Sequence, residues 1–146
     1  MRLPSSIEVT VRCDERRVPN ILVWVSFRRG GHDYFRTHIG LTSTTGIASA
    51  TGAEIEDSYR ENQRLFPMDF KVPLAGCDNE MVVGIEGAQE FRARQSGALS
   101  SDLTSESAKQ RWRAAENHLV DSATSTVVAP GNGSALRVTI DTRELD

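Results

Sequence analysis

The sequence is short of most things that staple, span or catalyse. It has two cysteines, Cys13 and Cys77, too few for a disulfide framework. Both fall near expected strand ends and read as thiols in a reducing compartment, with a bridge between them as the alternative. No run approaches the roughly eighteen apolar residues of a membrane helix, and no apolar segment of a secretory signal follows the start Met1-Arg2-Leu3-Pro4. The expectation is a cytoplasmic protein. Met1 and a final strand near the C-terminus read as a complete chain. Lysine is scarce, 2 against 15 arginines. That points to the coding bias of a GC-rich, bacterial genome, though arginine also suits interfaces better than lysine. Charge of one sign is missing too. The net charge of −3 gives no global attraction for nucleic acid or anionic lipid.

Motifs of chemistry are equally scarce. The sequence contains no Gly-x-Gly-x-x-Gly, P-loop, His-Glu-x-x-His or Cys-x-x-Cys, and no Gly-x-Ser-x-Gly elbow. The expectation is a protein with no catalytic residues, no cofactor, no metal and no small-molecule substrate.

What the sequence has in quantity is alternation. Residues 21–27 (ILVWVSF) are six apolar residues in seven, mostly β-branched or aromatic, which reads as a strand buried on both faces and central in a sheet. Ile7, Val9, Val11 and Cys13 alternate with Glu8, Thr10 and Arg12, a half-buried strand. Residues 14–17 form a charged connection, and Pro19-Asn20 punctuate it. Residues 28–33 read as a hairpin loop whose glycines supply positive φ. From 34 to 40, Phe35, Thr37 and Ile39 face one way and Tyr34, Arg36 and His38 the other. Residues 41–48 read as strand, tight turn and strand, with Gly46 at a left-handed position.

Thr51-Gly52 form a second breaker, and residues 56–64 resist assignment beyond being polar. Phe66, Met68, Phe70, Val72 and Leu74 alternate with Leu65, Pro67, Asp69, Lys71 and Pro73, which predicts an edge strand. A turn at 75–79 leads to a strand at 81–85, Gly87 breaks it, and residues 88–94 read as one more short strand around Phe91. After a Ser/Gly-rich loop at 95–102, Ala108, Trp112, Ala115 and Leu119 fall on one helical face. Ser101, Asp102 or Thr104 could cap that helix. Residues 124–129 and 135–142 flank Pro130-Gly131-Asn132-Gly133, a hairpin signal. With seven to nine short strands and no dividing linker, the expected fold is mainly β. It is a single domain over 1–146, a two-sheet antiparallel β-sandwich of immunoglobulin-like or transthyretin-like build, with one inserted α-helix near 104–122.

A resemblance carries this further. Thr42 and Gly46, then Phe66, Pro67, Asp69 and Phe70, stand where transthyretin-like or carboxypeptidase-regulatory-like β-sandwich domains carry a Thr-x-x-x-Gly turn and a Tyr/Phe-Pro-x-Asp-Tyr-like strand. The first ninety or so residues resemble that family. Ser43 departs from its usual acidic residue, and the helix around Trp112 lies outside its pattern. The resemblance implies a small accessory or binding domain without an active site.

Several clusters were weighed as sites. His32, Asp33 and His38 lie in one hairpin and could offer metal ligands; a soluble glycine loop is the simpler account. Asp69 beside Lys71 could be a catalytic carboxylate, or more simply a group bonded to a neighbouring turn. Glu54, Glu56 and Asp57, followed by Arg60 and Arg64, read as a solvated face. Arg28 and Arg29 with His32, Arg92 with Arg94, and Arg111 with Arg113 around Trp112 are basic spots short of a nucleic-acid surface. The Trp112 stripe either packs on its own sheets or docks a partner. The function this leaves is a non-catalytic adaptor or binding module that recognises a protein partner through loops or a sheet edge. The alternative is a structural subunit of a larger assembly: a homo-oligomer, a secretion apparatus or a virion component.

Overall fold

A computed structural model describes residues 2–30, 32–33, 36–99, 105–118, 124–129 and 133–142. For 32–33 and 115–118 it describes the backbone alone. In chain order the elements are β1 (Ser6–Cys13), β2 (Arg16–Arg17), β3 (Leu22–Arg29), β4 (His32–Asp33), β5 (Thr37–Leu41), β6 (Ile47–Thr51), α1 (Gly52–Leu65), β7 (Met81–Ile85), α2 (Ala88–Gln95), α3 (Glu106–His118), β8 (Ser125–Val128) and β9 (Ala135–Thr142). No helix among the described residues is long and apolar enough to cross a membrane.

The strands form two sheets. In the first, β1 pairs with β6 and then β2 along one side and with β9 along the other. In the second, β3 pairs with β5 and β4 on one side and with β7 on the other, and β7 pairs with β8. The expected central strand is central: β3 has neighbours on both sides, and Leu22 to Phe27 are buried on both faces. One apolar cluster joins the sheets. It takes Ile7, Val9 and Val11 from β1, Val23, Val25 and Phe27 from β3, Met81, Val83 and Ile85 from β7, and Val138 and Ile140 from β9.

The chain passes between the sheets twice on the same side, and Thr42 fastens both passages. Its Oγ1 donates to the carbonyl of Val18 (2.7 Å) and accepts from the Ile21 amide (2.9 Å). Gly46 closes the turn that follows, at φ 74°. A Cβ there would come within 2.8 Å of the Arg17 Cβ and 3.0 Å of the Val11 carbonyl oxygen. Both the conformation and the space require glycine.

The structure corrects the expected architecture in four places. First, the pairing is not wholly antiparallel: β9 runs parallel to β1 over eight residues. Second, β8 and β9 are not a hairpin, because each joins a different sheet. Third, the inserted helix near 104–122 is not alone. It appears as α3 at Glu106–His118, Ser105 Oγ accepts from the Ala108 amide at its start, and residues 119–122 lie outside the described residues, as do Ser101, Asp102 and Thr104.

The polar segment after Thr51 is α1, closed by a capping box in which Thr51 Oγ1 accepts from the Glu54 amide (3.1 Å) and Glu54 accepts from the Thr51 amide (3.2 Å). Residues 88–94, read as a strand, lie in α2. Fourth, the alternating stretch 66–74 is no strand. It folds back beneath α1, where the Phe70 amide bonds the Phe66 carbonyl (3.0 Å) and Tyr59 Oη donates to the Val72 carbonyl (2.5 Å). Cys13 and Cys77 are both buried and are not bridged to each other.

Candidate functional site

The outer face of the second sheet gathers the buried charge of the molecule. Odd residues of β3 enter the common core, so Leu22, Trp24 and Ser26 point the other way, towards α2 and α3. Leu22 meets Trp112 and Leu99 there, and the His38 ring stands edge-on to Trp112 at 5.2 Å. Ala108 and Trp112 of the stripe therefore pack internally; Ala115 and Leu119, its other two positions, fall outside the described side chains. Arg36 lies over the Trp24 ring (4.8 Å) and donates to buried Glu90 at 2.9 Å.

Arg94 and Glu86, one and zero per cent exposed at their side chains, form an ion pair. Glu86 also accepts from the Leu22 amide (3.0 Å), and Arg94 donates to the Asn20 carbonyl (2.6 Å). Each acid in this cluster already has an arginine across from it. The arrangement bolts α2 to the sheet. Trp24 Nε1 is buried without an acceptor among the described residues.

The clusters weighed from sequence are dispersed. His38 lies on β5 against Trp112, while His32 and Asp33 pair by backbone with Arg29 and Arg28; their side chains lie outside the described residues. Asp69 does not bond a neighbouring turn: it accepts from Arg113 Nε at 3.1 Å, and Arg113 stacks over Phe66 and Phe70. Lys71 is exposed and apart from it. Glu56 pairs with Arg60 (2.7 Å) and Glu61 with Arg64 (2.7 Å), along the solvent side of α1, and Arg64 also reaches Glu106. Arg28 leans on Glu80 (3.7 Å), and the Gly30 amide donates to Asp78 (2.7 Å), so the basic hairpin tip is tied down. Arg92 and Arg94 sit on a helix, one exposed and one buried. No group of three or more acids, histidines or cysteines placed to hold a metal occurs among the described residues.

The feature left open is an edge. β9 pairs with β1 alone among the described residues. Along its far side the outward-pointing backbone groups, at every second residue over 135–141, meet no other strand among the described residues, and neither proline nor lysine blunts the edge. Val138, Ile140 and Thr142 point inward and are buried; Ala135, Arg137, Thr139 and Asp141 point out and are exposed. Two outward charges stand in register with opposite charges on β1. Arg12 closes on Asp141 through two bonds, 3.0 and 3.3 Å. Arg137 stands beside Glu8 but makes no ion pair among the described residues.

The second sheet is one strand wider on this side. β9 approaches β7, so β8 reaches beyond it. The inward residues of β8 are Thr126 and Val128, opposite Val83 and Met81. Thr126 is exposed and Val128 half-buried. Among the described residues the result is an open edge above an uncovered ledge. Reading 124–142 as a hairpin hid it, because a hairpin would have paired β9 with β8. The sequence matches no known protein family and no curated protein.

Proposed function

We propose that the chain is a non-catalytic protein-binding module, a β-sandwich of transthyretin-like build, that recognises a partner by strand addition at β9. The observation that supports this reading is the outer edge of β9 over 135–141, which meets no other strand among the described residues and whose outward N–H and C=O groups need hydrogen bonds that water or a partner strand must supply. The buried ionisable groups of the helical face support it from the other side, since Glu86 and Glu90 are each committed to an arginine.

The test is capture from the host cell extract with the tagged chain, followed by hydrogen exchange on the purified complex. A specific protein partner that slows exchange of the β9 amides is the expected result. A reproducible absence of any partner, or protection confined to other elements, overturns the reading. A chain that instead assembles with itself as concentration rises supports the second reading, a structural subunit; light scattering decides between them.

A further inference from the structure

We infer that the β9 edge takes an extended segment of a partner protein that alternates apolar residues with polar ones and carries an aspartate or glutamate opposite Arg137. This rests on the reading of β9 as the contact edge and adds what lies on the other side of it.

Three features define the occupant. The first is the ledge. A strand added beside β9 sits over β8, so its inward side chains cover exposed Thr126 and half-buried Val128. Those positions call for apolar residues at every second place, in phase with Val138 and Ile140. The second is charge. Of the two outward ions on β9, Asp141 already has Arg12 in bidentate contact. Arg137 has no ion-pair partner among the described residues. A carboxylate on the added strand satisfies it, and an added lysine or arginine is repelled.

The third is width, which decides against a second copy of this chain. A two-fold pairing of β9 with itself about Thr139 sets Arg137 against Asp141 of the other copy, which looks complementary. It also brings the other copy's β7 under its own β9, into the place that β8 occupies. Asp141 is already engaged by Arg12 as well. A lone extended segment, bringing no second sheet, avoids both conflicts.

The probe is a short fluorescent peptide that alternates valine with threonine and carries a central aspartate, with a lysine analogue as its counterpart. Fluorescence anisotropy with the full chain is expected to rise with the aspartate peptide and to fall back about fivefold in affinity with the lysine analogue, the size expected of a cross-strand charge pair. Arg137→Glu is expected to invert that preference. Hydrogen exchange at 135–142 should slow on binding, and circular dichroism of Arg137→Glu checks that the fold is intact.

The inference is overturned if neither peptide binds, if both bind equally to wild type and variant, or if the protected amides lie elsewhere. Thr139→Cys adds an independent reading. A disulfide-linked homodimer of that variant, formed on mild oxidation, identifies the occupant as a second copy and overturns the inference. A captured partner protein that protects other elements removes the underlying reading too. One that protects β9 while both peptides fail removes only the stated chemistry.

Discussion

Glu86, two residues before α2, and Arg94, in its last turn, face each other, with Arg94 Nε donating to Glu86 Oε2 at 2.9 Å and both side chains buried. The pair reaches beyond itself, to the Leu22 amide and the Asn20 carbonyl. It pins the start of the central strand, where Asn20 turns the chain at φ 62°. Arg94→Met leaves a buried carboxylate without its counter-ion, which costs about 3–5 kcal/mol. Adding Glu86→Leu removes the stranded charge but orphans the Leu22 amide, so a cost of about 1–3 kcal/mol remains. Urea denaturation of the two single variants and the double variant checks this. Full recovery in the double would show that the carboxylate does not hold β3.

Trp112 fills the space between α3 and the outer face of β3, one per cent exposed, against Leu22 and Leu99. Trp112→Ala removes that filling and is expected to cost about 3–5 kcal/mol. The loss should be uneven. Amides of 106–118 are expected to exchange much faster, while those of β1 and β3 keep their order of protection. Equal acceleration everywhere would mean that α3 and the sheets unfold as one unit.

Much of the β structure was legible because period-two burial is written in the residues. Ile7 to Cys13 show it directly, Ile21 to Phe27 show instead the continuous apolar run of a strand buried on both faces, and Gly46 marked its turn. The helices divide by what their buried faces carry. α3 showed its apolar stripe. α1 carries a readable Thr51-x-x-Glu54 capping box with Ile55 and Tyr59 one turn apart, a short apolar signal in an otherwise polar segment. α2 was hidden by its chemistry: its inward residues are Glu90 and Arg94, so no apolar stripe exists to find.

Residues 66–74 misled in the opposite sense. Their alternation is genuine, but Phe66 and Phe70 are used four apart, under Arg113. The edge was missed because a local turn signal at 130–133 said nothing about which strand, near or far, would claim Ala135 to Thr142. Long-range pairing with β1 decided it.

The turn between β1 and β2 holds Asp14 at φ 48° and Glu15 at φ 68°. Two consecutive left-handed residues fit the tight hairpin pairing of Cys13 with Arg16. Glutamate tolerates that conformation poorly, at about 1–2 kcal/mol, and glycine adopts it freely. Glu15→Gly is therefore expected to stabilise the chain by up to about 1 kcal/mol after the extra entropy of glycine is offset. A raised thermal midpoint checks it. A lowered one would mean that the Glu15 side chain contributes more than its backbone loses.

Burial pushes the Cys77 thiol above its ordinary value, against a smaller opposing pull from the Tyr59 hydroxyl. The folded state thus favours the neutral thiol, which also leans on the Pro73 carbonyl at 3.7 Å. Raised in the fold, this group contributes its full stabilisation below the unfolded thiol's pKa. That contribution is lost as pH rises through the folded value, because the unfolded chain releases its proton first. Wild type is therefore expected to lose stability faster than Cys77→Ala does once pH rises above the ordinary thiol range, with the two curves parallel near neutrality. Urea midpoints across that range measure the difference. The same burial predicts that a thiol reagent modifies Cys77 slowly at neutral pH and rapidly once urea unfolds the chain, since only the thiolate attacks. Fast modification in the folded protein would show that the segment from Val72 to Cys77 opens locally, and the alkaline loss should then be small.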